Sequence, residues 1–286
     1  MNILQIDVEH SYCDYHINAK ELDNIDEWQK HRERTVWSTE KILDILEKKK
    51  ITATFFILGC VAKKFPYLIE RIEAAGHEIA SHGYWHVLAT RQSPQEFEED
   101  LKKSLAILSK PSHEKIIGYR ACNFTLVENT SWVIDILKLH GLKYDSSIFP
   151  FKTHLYGVPD APLFPYHISS RNIKVDSSDE SFLEFPLSVY RIPIANINIP
   201  IAGGFYFRFL PYWFIKFGIK RLNREKKSAI CYIHNWELDP NQSRIKPLRW
   251  QLYHYWNLSK TQKKLGQLLN DFDFASTREW IEKEGY

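Results

Sequence analysis

The chain has 286 residues, 44% hydrophobic and 14% aromatic, enough for one large core or two small domains. Its 38 basic and 35 acidic residues leave a net charge of +3, which gives no electrostatic footprint for nucleic acid. No run approaches the roughly 18 apolar residues of a membrane-spanning helix. Residues 1–8 enter a strand without a leader pattern, and the four cysteines form no Cys-x-x-Cys, so a reducing cytoplasm is the expected location.

In chain order, Leu4–His10 alternates like a strand, which puts Asp7 and Glu9 on one face. Two acids side by side on a buried strand are costly unless paired or bound to a cation. Residues 11–31 read as a polar loop. Apolar spacing predicts a helix over 34–49, a strand over 51–58 ended by Gly59, and a helix over 61–75 in which Pro66 falls inside or between two pieces. A short strand over 77–81 follows. It leads to Ser81-His82-Gly83-Tyr84-Trp85-His86, whose histidines at i and i+4 would share one face of a helical turn and grip one ion. Ser93-Pro94 caps a helix to about 109. Strands at 116–120 and 142–145 flank a helix over 127–140.

This alternation of strands and helices predicts an α/β fold with a parallel sheet, in which sites lie at the carboxyl ends of strands. Asp7, Glu9, His82, His86, Arg120 and Asp145 all sit at or just after predicted strand ends. The stretch at about 150–182 is rich in Pro, Ser and Asp and reads as an excursion. Strands are expected over 182–189 and 192–201, and a helix over 211–225. Gly203-Gly204 reads as a turn followed by aromatics, without the spacing of a phosphate loop. A last buried strand over 228–234 ends on His234. A helix over 260–269 and a short strand over 272–275 lie in a C-terminal extension of about 240–286. No internal repeat or domain boundary stands out, so residues 1–286 read as a single domain.

Two histidines and a carboxylate on a divalent ion leave positions open for water and substrate. A second, unligated carboxylate can take a proton, an arginine can hold it ionised, and a further histidine can protonate a leaving amine. The inventory suits metal-assisted hydrolysis of an amide or ester.

At these residues the sequence resembles the NodB-type polysaccharide deacetylases, carbohydrate esterase family four, and especially the branch found in exopolysaccharide-synthesis loci. Ile6-Asp7-Val8-Glu9 is similar to the first motif, with a valine between the acids. The resemblance implies Asp7 as catalytic base and Glu9 as metal ligand. Ser81–His86 is similar to the second motif and implies His82 and His86 as metal ligands. Gly118-Tyr119-Arg120-Ala121 is similar to the third, where Arg120 would buttress Asp7; the usual proline is Cys122 here. Tyr144-Asp145-Ser146-Ser147 is similar to the fourth, without its tryptophan, and Asp145 is counted as catalytic. Tyr232-Ile233-His234 is similar to the fifth, with His234 as general acid and Ile233 lining an acetyl pocket.

The resemblance runs over nearly the whole chain. It implies a distorted (β/α) barrel with fewer than eight strands and a divalent ion, zinc first, with cobalt, nickel, manganese or iron also suited to the ligands. It further implies N-deacetylation of an acetylated amino-sugar glycan or its lipid- or nucleotide-linked precursor. Trp85, Tyr206, Arg208, Ile233 and Trp236 are the expected substrate contacts. Bland readings stand beside these: Trp85 packing the core, Arg208 pairing with a protein acid, and Glu237 or Asp239 either orienting His234 or capping a turn. The alternatives are a deformylase or cyclic-amide hydrolase on the same fold, or a non-catalytic glycan-binding relative.

Overall fold

The computed structural model describes residues 1–11, 13, 29–153, 155–192, 194–195, 197–201, 203–242 and 253–286, with side chains from residue 33 onward in the first helix. Most of the loop expected at 11–31 and the side chains of His31 and His154 lie outside the described residues.

Strand β1 (Asn2–Val8) is buried along its whole length and pairs with three other strands of the sheet. Leu4, Ile6 and Val8 face the main hydrophobic core, while Gln5 and Asp7 face the other way, toward Arg120. The elements that follow are α1 (Gln29–Lys49), β2 (Thr54–Ile57), α2 (Gly59–Lys64), α3 (Pro66–Ala74), β3 (Glu78–Ser81), α4 (Pro94–Leu108), β4 (Gly118–Tyr119), α5 (Val133–Leu139) and β5 (Tyr144–Asp145). Pro66 opens α3, so it separates two helices. Then come β6 (Tyr166–His167), β7 (Leu183–Glu184), β8 (Val189–Ile192), β9 (Ile197–Pro200), α6 (Gly204–Phe209), α7 (Tyr212–Arg224), β10 (Ile230–His234), α8 (Leu258–Asp271), β11 (Phe274–Ala275) and α9 (Thr277–Glu284).

The strand order is β10-β1-β2-β3-β4-β5-β7-β6, with β11 also paired to β1. Along this path β10 to β7 run parallel and form a curled half-barrel; β6 closes the edge antiparallel to β7. Parallel strands put all their carboxyl ends on one rim. That is why Asp7, His82, Arg120 and His234, far apart in sequence, reach the same place.

Several expectations need correction. The His82–His86 stretch is a loop, with Gly83 at φ +74° and His86 at φ +61°. The expected strand over 192–201 is a hairpin of β8 and β9. The helix expected over 127–140 is a short turn at Glu128–Thr130 followed by α5. The excursion at 150–182 packs inward, burying Val158, Tyr166, Ile168 and Ile173 and supplying β6. Gly203-Gly204 opens a helix, α6. A Cβ on Gly203 would lie 1.7 Å from the Tyr232 carbonyl oxygen, and one on Gly204 2.3 Å from the Tyr232 hydroxyl. The glycines let this turn lie directly on β10.

Candidate active site

Asp7 ends β1 and is 1% exposed. Arg120, just past β4 and fully buried, donates from Nη1 to Asp7 Oδ1 at 2.7 Å. Its other N–H groups reach the Ser146 carbonyl and hydroxyl at 2.9 Å, and Gln5 Oε1. The guanidinium lies over the Phe56 ring, 4.3 Å from its centroid. A buried arginine this fully bonded is a fixed positive charge under Asp7.

Glu9 follows two residues on. Its Oε1 accepts from Trp236 Nε1 at 2.9 Å. Its Oε2 lies 2.8 Å from His86 Nε2 and 3.7 Å from His82 Nε2, yet closes no hydrogen bond. His82 Nδ1 is 2.9 Å from the Arg120 carbonyl oxygen. A carbonyl only accepts, so Nδ1 carries the proton and the Nε2 lone pair faces Glu9. An orphaned buried carboxylate oxygen aimed at two imidazole nitrogens is the donor set of a divalent-cation site, and these residues fit one. Cys122 Sγ and a ring nitrogen from each histidine all lie within 4.8 Å of one another, so a thiol stands beside the same pair. Burial pushes that thiol well above its ordinary pKa, and it donates to the His82 carbonyl at 3.3 Å. The Glu9 grouping is the stronger one, because its free oxygen has no other partner.

His234 ends β10 opposite Asp7, with which it shares a register position. Its Nε2 stands 3.9 Å from Asp7 Oδ2 and 3.8 Å from Glu9 Oε1. Its Nδ1 donates to Glu237 Oε2 at 3.0 Å. Glu237 is in turn held by Arg208 Nε. Burial opposes charge on His234, but Glu9, Glu237 and Asp7 outweigh it and raise its pKa to about 9. Burial likewise opposes ionisation of Glu237, yet Arg208 and His234 bring it down to about 2. For Glu9 the same contest ends well below the usual carboxylate range, because the charges of His86 and His234 outweigh burial. A Glu237→Gln protein stripped of metal should therefore show a His234 pKa well below about 9 by NMR titration. An unchanged pKa would contradict the pairing.

These groups open into a cavity of about 400 Å³, lined by Asp7, Glu9, His82, His86 and His234 and walled by Tyr156, Phe205, Tyr206, Tyr232 and Trp236. Of the expected substrate contacts, Tyr206, Arg208 and Trp236 line it. Arg208 is 2% exposed and also donates to the His254 and Trp256 carbonyls, so it serves as an internal brace. Trp85 does not line the cavity; it packs edge-on against Tyr84 with centroids 4.6 Å apart. Ile233 points into the core between Tyr232 and His234, as strand alternation requires. Asp145 also stays out of the cavity. It accepts from the Ser147 hydroxyl at 2.7 Å, and Ser147 Oγ accepts from the Ala121 amide at 2.7 Å. Asp145 faces Glu184 across β5 and β7, and burial raises both carboxyls.

Two cavity features were missed in the sequence. Asn123 Oδ1 is buried, unbonded and part of the lining, and Asn123 and Phe124 both have φ above +50°. Left-handed backbone at a bulky residue is a strained conformation of the kind concentrated at working sites. The stack of His234, Trp236 and His254, with centroids 4.9 and 4.2 Å apart, forms one wall. His254 was not among the expected site residues.

The fold and rim together define an α/β half-barrel of the deacetylase type. Residues 33–144 match the polysaccharide deacetylase family model, and residues 146–282 match a domain of unknown function (DUF3473). With the relatives, this supports the polysaccharide deacetylase family over residues 33–144. A Bacillus cereus protein named peptidoglycan-N-acetylglucosamine deacetylase is 39% identical over 123 residues, covering 38% of this chain and 44% of that one. The chain spans less than half the length of the curated relatives it matches. Among solved structures, one from Mycobacterium smegmatis, provisionally described as a polysaccharide deacetylase, superposes with a TM-score of 0.60. It is 17% identical and covers 98% of this chain and 88% of its own. PuuE allantoinase superposes at 0.59 with 15% identity, covering 99% and 91%. Both likenesses show the fold.

Proposed function

We propose that the chain is a metal-dependent hydrolase that removes N-acetyl groups from amino sugars of a glycan or glycan precursor. The observation that carries this is the convergence of Glu9 Oε2 on two histidine Nε2 atoms beside Asp7 and His234. Glu9, His82 and His86 would hold the ion, zinc first. When bound, it supplies Lewis acidity and a water of lowered pKa.

Asp7, positioned by the Arg120 Nη1 bond to its Oδ1, takes the proton of the attacking water. The Ala121 amide is already committed to Ser147 Oγ and the Phe124 amide to the Ala121 carbonyl, so a backbone donor to the oxyanion would come from the Cys122 or Asn123 amide. His234, kept protonated by Glu237, delivers its Nε2 proton to the leaving nitrogen. Asp145 acts one step back, through Ser147 on the Arg120–Ala121 backbone. The aromatic walls, Tyr206 and Trp236 among them, suit the faces of a sugar ring, and Asn123 Oδ1 suits a hydroxyl or amide N–H. The sheet passes from β5 through β7 across the boundary between the two matched segments, which favours reading the whole chain as one domain.

The test is acetate release by the zinc-loaded protein from N-acetylglucosamine oligomers, run beside N-formyl and cyclic-amide substrates. Acetate from the oligomers alone is the expected result. Turnover confined to the other amides would overturn the reading.

A further inference from the structure

Helix α7 buries Ile215, Gly218, Ile219 and Leu222. On its outer side Trp213 and Phe217, one turn apart, are 69% and 48% exposed. The β8–β9 hairpin lies against this helix, with Tyr190 5.5 Å from Phe217 and 6.1 Å from Phe214 between ring centroids. Opposite residues of an antiparallel pair share a face. The pairs Tyr190–Ile199 and Ile192–Ile197 therefore lie on the side that meets α7. Ile197 is 53% exposed there, and Ile194 at the turn is wholly exposed. On the hairpin's other side Val189 is buried in the core, and toward the turn Arg191 Nε donates to Asn198 Oδ1 at 2.8 Å. Four exposed apolar side chains, Ile194, Ile197, Trp213 and Phe217, thus belong to two neighbouring elements, the hairpin and α7.

Charge completes the pattern. Residues 212–227 hold six basic side chains and one acid, Glu225. Arg221 pairs with Glu225 at 2.8 Å and Lys216 with Asp271 at 2.7 Å, which leaves a positive excess beyond the aromatic turn. Aromatic and aliphatic residues beside a basic stripe on a helix lying along the surface are the signature of an interfacial element. A two-fold contact between copies would set this stripe against itself, which like charges oppose.

We propose that this face docks on an anionic lipid surface. Ile194, Ile197, Trp213 and Phe217 enter the acyl boundary, and Lys220, Arg221 and Arg224 rest on the headgroups. Phe209 and Trp256, 56% and 46% exposed, continue the aromatic surface toward the cavity rim, where Phe205 stacks on Tyr253 with centroids 4.1 Å apart. The docking does not depend on the reaction assigned to the cavity.

The experiment is flotation of the full chain with vesicles of phosphatidylcholine, alone or mixed with phosphatidylglycerol, at low and high salt. The wild type should float with the anionic vesicles and be released as salt rises. W213S/F217S and K220E/R221E/R224E should each bind about tenfold or more weakly. Leu139→Ser, a change at a 74% exposed residue on α5, should bind like the wild type. Circular dichroism melts confirm that each variant is folded. A wild type that stays in the aqueous phase with every vesicle, or a W213S/F217S protein that binds equally well, overturns the proposal. So does a dimer broken by W213S/F217S without any vesicle binding, which would make the face a contact between copies.

Discussion

An Asp7→Asn protein is expected to keep its metal and lose turnover, with kcat lower by about 10²–10⁴-fold, the range for removing a positioned general base. The substitution nearly preserves shape, and the amide oxygen can still accept from Arg120 Nη1 where Asp7 Oδ1 does now, at 2.7 Å. What disappears is the basic oxygen facing His234. Glu9 and the two histidines are untouched, so binding and chemistry separate cleanly. Acetate release together with metal content decides it; turnover within a few-fold of wild type would mean that the base has been misassigned.

The second large effect is on stability. Arg120→Met should cost about 3–5 kcal/mol, because it removes the partner of a buried carboxylate and leaves an uncompensated charge. Gln5 Oε1 and the Ser146 carbonyl lose a donor at the same time. For a domain of this size the melting temperature should fall by roughly 10 °C. The double change D7N/R120M should cost less than the sum of the two, since Asn carries no charge to strand. Additive losses would show that Arg120 supports the rim through Ser146 alone, and not through Asp7.

Much of this rim was legible in the sequence, because parallel strands deliver residues to one edge in a way that chain order alone can trace. Asp7, Glu9, His82, His86, Arg120 and His234 all stood at strand ends, and all meet at one site. The helical placement of the histidine pair failed because Gly83 and His86 take left-handed backbone, which a four-residue spacing does not reveal. Asp145 sat at a strand end as well, but its side chain turns to Ser147 and Glu184; position on the rim does not fix direction into the cavity. Glu237 could be given either of two roles and has both, because one carboxylate oxygen accepts from the His234 amide and from its ring. The α9 helix, not expected from the sequence, has a capped start, with Ser276 Oγ accepting from the Glu279 amide at 3.1 Å. Asn123 and His254 were not among the expected site residues, since only tertiary packing brings them to the wall.

Glu9, His82 and His86 are expected to hold one divalent ion. Elemental mass spectrometry of the purified protein, with the His82→Ala/His86→Ala variant alongside, measures that directly. About one divalent ion per chain, lost in the variant, is the predicted result. No ion in the wild type, even after incubation with zinc, would contradict it.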